Sequence, residues 1–129
     1  MPNGEPRAMS PSETEILRLV WQLGEATVQQ ICNRLPPERD IRYNTVQTLL
    51  CRLEQKGYLS HRTENRAHVF LPAIKQHDVI KRTVMDFLKR LFDGDARPLV
   101  QFLAEDGQID EEDVKGLRKL IKKRQVVLP

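Results

Sequence analysis

Between Ser10 and Pro72 the apolar pattern changes period once, from about 3.6 residues to about 2, and this switch constrains the fold more than any other feature. Three helical stretches come first. "SPSE" sets Ser10 as an N-cap, Pro11 at the first helical position and Glu13 three residues after the cap, the pattern of a capping box. Ile16, Leu17, Val20 and Leu23 follow at helical spacing, with Trp21 beside them, and Gly24 supplies a left-handed stop. Thr27 and Gln30 form a second capping box. Val28, Ile31, Cys32 and Leu35 make that helix's buried edge, and Pro36 and Pro37 end it. A third helix is expected from about Tyr43 to Gln55, with Val46, Leu49, Leu50 and Leu53 inward and Gly57 at its close. The period then shortens. "YLSHR" and "AHVFL" have strand propensity, and the "TENR" between them suits a hairpin turn. Three helices followed by a hairpin is the order of a winged helix-turn-helix.

The polar face of the third helix raises the functional question. Asn44, Thr48, Cys51 and Gln55 lie opposite the apolar edge, flanked by Gln47 and Arg52. Amides, a hydroxyl and a guanidinium match the donors and acceptors that base edges offer in a major groove. Residues 39–66 carry six basic side chains (Arg39, Arg42, Arg52, Lys56, Arg62, Arg66) against three acids (Asp40, Glu54, Glu64). A solvated helix face explains such a stripe in isolation; the winged-helix order and the basic hairpin favour DNA. First-turn residues of a recognition helix reach deepest. Asn44, Gln47 and Thr48 are therefore the expected base readers, with a thymine methyl as an alternative partner for Thr48 or Cys51. Arg42, Tyr43, Arg52 and Lys56, with Arg62 and Arg66 in the wing, are the expected backbone contacts, which set position without reading sequence.

Beyond Ala73 three further helices are expected. A long one carries Val79, Ile80, Val84, Phe87, Leu88, Leu91 and Phe92 and ends at Gly94. A short one holds Leu99, Val100, Phe102 and Leu103. A last one is capped by Asp110 and contains Leu117, Leu120 and Ile121, its acids leading and its lysines trailing as the helix dipole favours. Fewer than about sixty residues cannot easily hide this much apolar surface alone. A second copy of the chain is the natural partner, and folding back on the first domain is the alternative. The expected organisation is a flexible N-terminus (1–9), a winged-helix domain (10–72), a helical dimerisation domain (73–124) and a tail (125–129). The fold class is mainly α with a small β-hairpin wing.

Other classes find little support. There is no nucleophile with a His/Asp partner and no glycine-rich phosphate loop, so an enzyme is not expected. Cys32 and Cys51 lie in helical patterns and read as reduced thiols. His61 and His68 can face each other across the hairpin, but two ligands do not make a zinc site, and no metal or cofactor is expected. Net charge is only +3 over 129 residues, so local distribution matters more than the total. No apolar run approaches the roughly 18 residues of a membrane span, and "MPNGEPRAM" lacks a secretory core. A cytoplasmic protein is the default expectation.

Taken together, "SETEILRLVWQLGEATVQQI", "YNTVQTLLCRLEQKGYL", "RAHVFLP", "FDGDARPLVQFLAED" and "IDEEDVKGLRKLIKK" resemble the penicillinase-repressor (BlaI/MecI) family across residues 10–123. The resemblance implies a homodimeric repressor whose winged helix reads a dyad operator. It implies a dimer built from the C-terminal helices, here Val84, Phe87, Leu88, Leu91, Phe92, Leu99, Phe102, Leu103, Leu117, Leu120 and Ile121. In the archetypal systems the target promoter serves a β-lactamase or a resistant penicillin-binding protein, and a membrane sensor metalloprotease cuts the repressor between an asparagine and a phenylalanine. The matching bond here is Gln101–Phe102, with glutamine in place of asparagine. Arg42 and Tyr43 stand where many members have a capping residue. The family's copper-responsive branch ends in cysteine pairs, and this chain has no cysteine after Cys51. Within the DNA-binding class, the alternative is a small-molecule-responsive regulator not controlled by proteolysis.

Overall fold

The computed structural model describes residues 7–127. The chain divides into two compact units, the break falling between Ile80 and Lys81. The first contains α1 (Pro11–Leu23), α2 (Val28–Arg34), a 3-10 turn (Pro37–Arg39), α3 (Tyr43–Gln55), β1 (Leu59–Glu64) and β2 (Ala67–Pro72). α4 (Gln76–Phe92) begins in it and runs on into the second unit, where α5 (Ala96–Glu105) and α6 (Glu111–Val127) follow.

Both capping boxes form. Glu13 N–H donates to Ser10 Oγ at 3.2 Å while Ser10 N–H donates to Glu13 Oε1 at 2.8 Å. Thr27 and Gln30 repeat the exchange at 3.2 and 2.8 Å. Each box satisfies two backbone donors that a helix otherwise leaves unpaired, and such a cap stabilises a helix by about 1 kcal/mol. The helices then pack their apolar edges together. Ile16, Leu17 and Val20 of α1, Ile31 of α2, and Val46, Leu50 and Leu53 of α3 are wholly buried around Phe70 of β2. Val79, in the first turn of α4, joins the same core. That contact carries the unit past the expected boundary after residue 72.

β1 and β2 pair antiparallel, with His61 opposite Phe70 and Arg62 opposite Val69. The connection is tighter than the expected four-residue spacer: two residues, Asn65 and Arg66, both with positive φ (51° and 67°). This is the backbone of a type I′ hairpin, whose twist matches the strands it joins. Ala26, between α1 and α2, exchanges two backbone hydrogen bonds with Phe70, at 2.9 and 2.8 Å. The helix-turn-helix is thereby stitched to the hairpin.

Glu13 has a second role that its cap position conceals. Its side chain is 2% exposed and accepts a 2.6 Å hydrogen bond from Lys56 Nζ, which also donates to Ala8 O at 3.0 Å. Burial pushes the carboxyl up, but hydrogen bonds from Lys56 and from Ser10 N–H outweigh it and hold the group below its ordinary value. Tyr58 OH donates to Arg7 O, and Met9 packs on the core. Residues 7–9 are thus anchored, against the expectation of a flexible segment over 1–9; residues 1–6 lie outside the described residues.

In the second unit Asp95 caps α5 by accepting from Arg97 N–H at 3.1 Å, and Asp110 and Asp113 cap α6 reciprocally at 2.9 Å. α6 continues through Val127, beyond the expected start of the tail at 125, and Leu128 and Pro129 lie outside the described residues. Among the described residues of this unit Leu88, at 7% exposure, is the one buried apolar side chain. The sequence places it in the dimer face; in the structure its own chain covers it, while Val84 and Leu91 on the same edge of α4 stay exposed. Phe92, Leu99 and Leu103 are half-buried. The remaining expected interface residues, Val84, Phe87, Leu91, Phe102, Leu117, Leu120 and Ile121, are exposed, as are Met85, Val100 and Val114, which sequence reasoning had not placed there.

Candidate nucleic-acid interface

α3 divides its residues between two jobs. Val46, Leu49, Leu50 and Leu53 enter the core, which fixes the direction of the opposite face. There Asn44, Gln47, Thr48, Cys51, Arg52 and Gln55 line one shallow, open concavity. The side-chain amides of Asn44 and Gln47 have no partner among the described residues, so their donors and acceptors are available to a ligand. Thr48 differs. Its hydroxyl donates to Asn44 O at 2.9 Å, so toward a ligand it offers a methyl group and an acceptor lone pair but no proton. Arg42 is the N-cap of α3 and makes no side-chain cap, which leaves the helix's first N–H groups and positive dipole end uncovered. Tyr43, beside it, is exposed.

The six residues expected to hold the DNA backbone separate into two groups. Arg42, Tyr43, Arg52 and Arg66 are exposed, and the three arginines have no acidic partner among the described residues. Arg66 occupies the second turn position at the hairpin tip, with φ of 67°. A Cβ there costs about 1 kcal/mol relative to glycine. Lys56 and Arg62 are engaged instead. Lys56 faces inward to Glu13, so the expectation that it contacts a phosphate is corrected: a buried carboxylate needs a counter-charge, and Lys56 supplies it. Arg62 forms a bidentate pair with Glu25, at 2.8 and 2.7 Å, and reaches Glu64 at 3.4 Å. The hydrogen bonds from Arg62 hold the Glu25 carboxyl below its ordinary value, and in return Glu25 pushes the guanidinium further up.

The hairpin is tied to α3 on its other face. His61 Nδ1 lies 2.8 Å from both oxygens of Glu54, and the His61 ring stacks on His68 with centroids 4.3 Å apart. Among the described residues no three His, Cys, Asp or Glu side chains are grouped to hold a metal ion. Cys51 is exposed on the α3 face, while Cys32 is half-buried and burial pushes its thiol up, away from reactivity. No helix among the described residues is long and apolar enough to cross a membrane.

Comparison with known proteins decides what kind of scaffold this is. Residues 9–123 match the penicillinase repressor family. The chain belongs to that family. It is a family of DNA-binding transcriptional repressors, not enzymes. The penicillinase repressor of Bacillus licheniformis is 26% identical, over 91% of this chain and 91% of its own. The methicillin resistance regulatory protein MecI of Staphylococcus aureus (strain N315) is 22% identical, over 90% and 94%. Among solved structures, the DNA-binding domain of the repressor BlaI superposes with a TM-score of 0.50 at 28% identity, covering 60% of this chain and 93% of that domain. The winged helix-turn-helix architecture of the first unit is the one this family uses.

Proposed function

We propose that this protein is a homodimeric repressor that reads a dyad operator, with α3 entering the major groove and the hairpin tip reaching the flanking backbone. The observation that carries the reading is the outer face of α3. Asn44 and Gln47 present unpartnered amides from a helix locked to a core on its other side. Asn and Gln pair bidentately with adenine in the major groove, and the Thr48 methyl suits a thymine. Arg42, Tyr43, Arg52 and Arg66 hold the backbone.

The exposed apolar edges of α4, α5 and α6 support pairing with a second copy. On a symmetric dimer the two α3 helices meet DNA about one duplex turn, roughly 34 Å, apart. Release follows from loss of that pairing. Gln101 and Phe102 are both exposed on α5, where a membrane sensor protease would reach them once the helix unwinds locally. Cutting there detaches α6 and bares the half-buried Leu99 and Leu103. Full-length protein alone by mass spectrometry, while transcription of the target rises, would rule out the proteolytic route.

Binding assays with the full chain test the assignment of roles. Asn44→Ala relaxes preference at one base pair, by about tenfold in affinity ratio. Arg52→Ala weakens binding to every duplex alike and lowers the slope of log affinity against log salt by about one. Equal losses for both variants on selected and random duplexes would remove the distinction on which the reading stands.

A further inference from the structure

Of the four exposed arginines on the expected DNA face, three have no acidic partner among the described residues, and the fourth is held by two. Arg62 directs both terminal nitrogens at Glu25, and one of them also approaches Glu64. The same fork of N–H groups is what an arginine turns toward a phosphate. The arrangement is built into the fold. Glu25 precedes Ala26, whose backbone is hydrogen-bonded in both directions to Phe70, so its position beside β1 is set by main-chain contacts. On the strand side the Arg62 stem lies across from buried Val69, and Glu64 shares its face two residues on. Two carboxylates against one guanidinium leave this site with a net negative charge, whereas Arg66 at the tip and Arg42 and Arg52 beside the outer face of α3 have no acidic partner among the described residues.

We propose that Glu25, assisted by Glu64, is an internal phosphate surrogate that restrains the wing arginine Arg62 until DNA replaces it. This rests on the reading of the hairpin as a DNA contact. Binding at this position is an exchange of one anion for another. Arg62 releases few bulk counterions when it meets a phosphate, because a carboxylate already neutralises it. Its contribution to affinity, and to the salt dependence of affinity, is smaller than that of Arg52 or Arg66. Glu25 tunes the grip downward without touching DNA. The pair is solvent-exposed and open to screening, so the exchange is cheap and fast enough to follow equilibrium.

The test measures affinity of the full-length protein for an operator-type and a random duplex by fluorescence anisotropy, across a series of potassium chloride concentrations. Glu25→Gln is expected to bind both duplexes about three- to tenfold tighter at low salt, with the salt slope steeper by about one. Arg62→Ala changes little in the wild-type background and abolishes the gain in the Glu25→Gln background. A merely structural role for Glu25 would lower the thermal midpoint without producing this coupling. Unchanged or weaker binding by Glu25→Gln, with an unchanged slope, would overturn the surrogate. Wild-type protein that binds neither duplex would overturn the DNA-binding reading itself, so the two failures are distinguishable.

Discussion

The two units are made of similar helices and reach opposite ends. In the first, three amphipathic helices and a hairpin turn their apolar edges toward one another and bury more than a dozen side chains. In the second, amphipathic helices keep most of their edges exposed, and Leu88 is the one buried apolar residue described there. Amphipathicity therefore announces that a face will be covered, not by what. In the first unit the partner lies in the same chain; in the second Leu91, Leu117, Leu120 and Ile121 are exposed, and the proposed second copy is what would cover them.

The comparison can be broken most sharply at matched leucines. Leu50→Ala removes a side chain with no exposure and is expected to cost the first unit about 3 kcal/mol at any protein concentration. Leu120, 64% exposed, should cost a lone chain less than about 0.5 kcal/mol when truncated. In a paired chain its loss should lower the apparent stability in a concentration-dependent way. Urea unfolding at two widely separated protein concentrations checks both. A Leu120→Ala deficit that ignores concentration would mean the second unit completes itself.

A smaller effect sharpens the division within the first unit between scaffold and contact residues. Lys56→Met leaves the buried Glu13 carboxylate without its counter-charge, costing about 2 kcal/mol at neutral pH. The Glu13 carboxyl is depressed in the folded state. The pair therefore stabilises the protein above the ordinary carboxylate range, and that contribution is lost as pH falls through the folded value. The gap between Lys56→Met and wild type should close in acid, as read from urea midpoints at neutral and acid pH. The salt slope of DNA binding should be unaffected. A slope lowered by one would return Lys56 to the DNA contacts.

The smallest expected effect concerns the hairpin tip. Arg66→Gly relieves a left-handed arginine and should raise stability by about 1 kcal/mol, while DNA affinity falls and its salt slope drops by about one. A gain in stability with unchanged affinity would show that the tip does not meet DNA.

What the sequence made legible was local. Caps, periodicity and stop signals lie within four or five residues of one another, and α1, α2, α3 and the hairpin follow from them at nearly the expected bounds. The face of α3 was legible for the same reason: Leu50 and Asn44 sit on opposite sides whatever the rest of the chain does. Long-range charge pairing was not. Lys56 and Arg62 look like any other basic residues beside Arg52. Their partners, Glu13 and Glu25, lie 43 and 37 positions away, and nothing in spacing or composition points to them. The Ala26–Phe70 bridge was missed because backbone pairing leaves no side-chain signature, and the 3-10 turn at Pro37–Arg39 because two prolines were read simply as an end. Leu88 was misplaced because an apolar stripe wide enough for two neighbours does not say which residue each neighbour takes.

The sparse interior of the second unit has a consequence for dosage. On the proposed pairing, a subunit that completes itself by meeting its like acts in proportion to the square of its number while it is scarce. Halving the copies in a cell then quarters the active form, so a rise in turnover would weaken its action more than in proportion. The bare leucines of α6 would in this way let the protein register its own abundance.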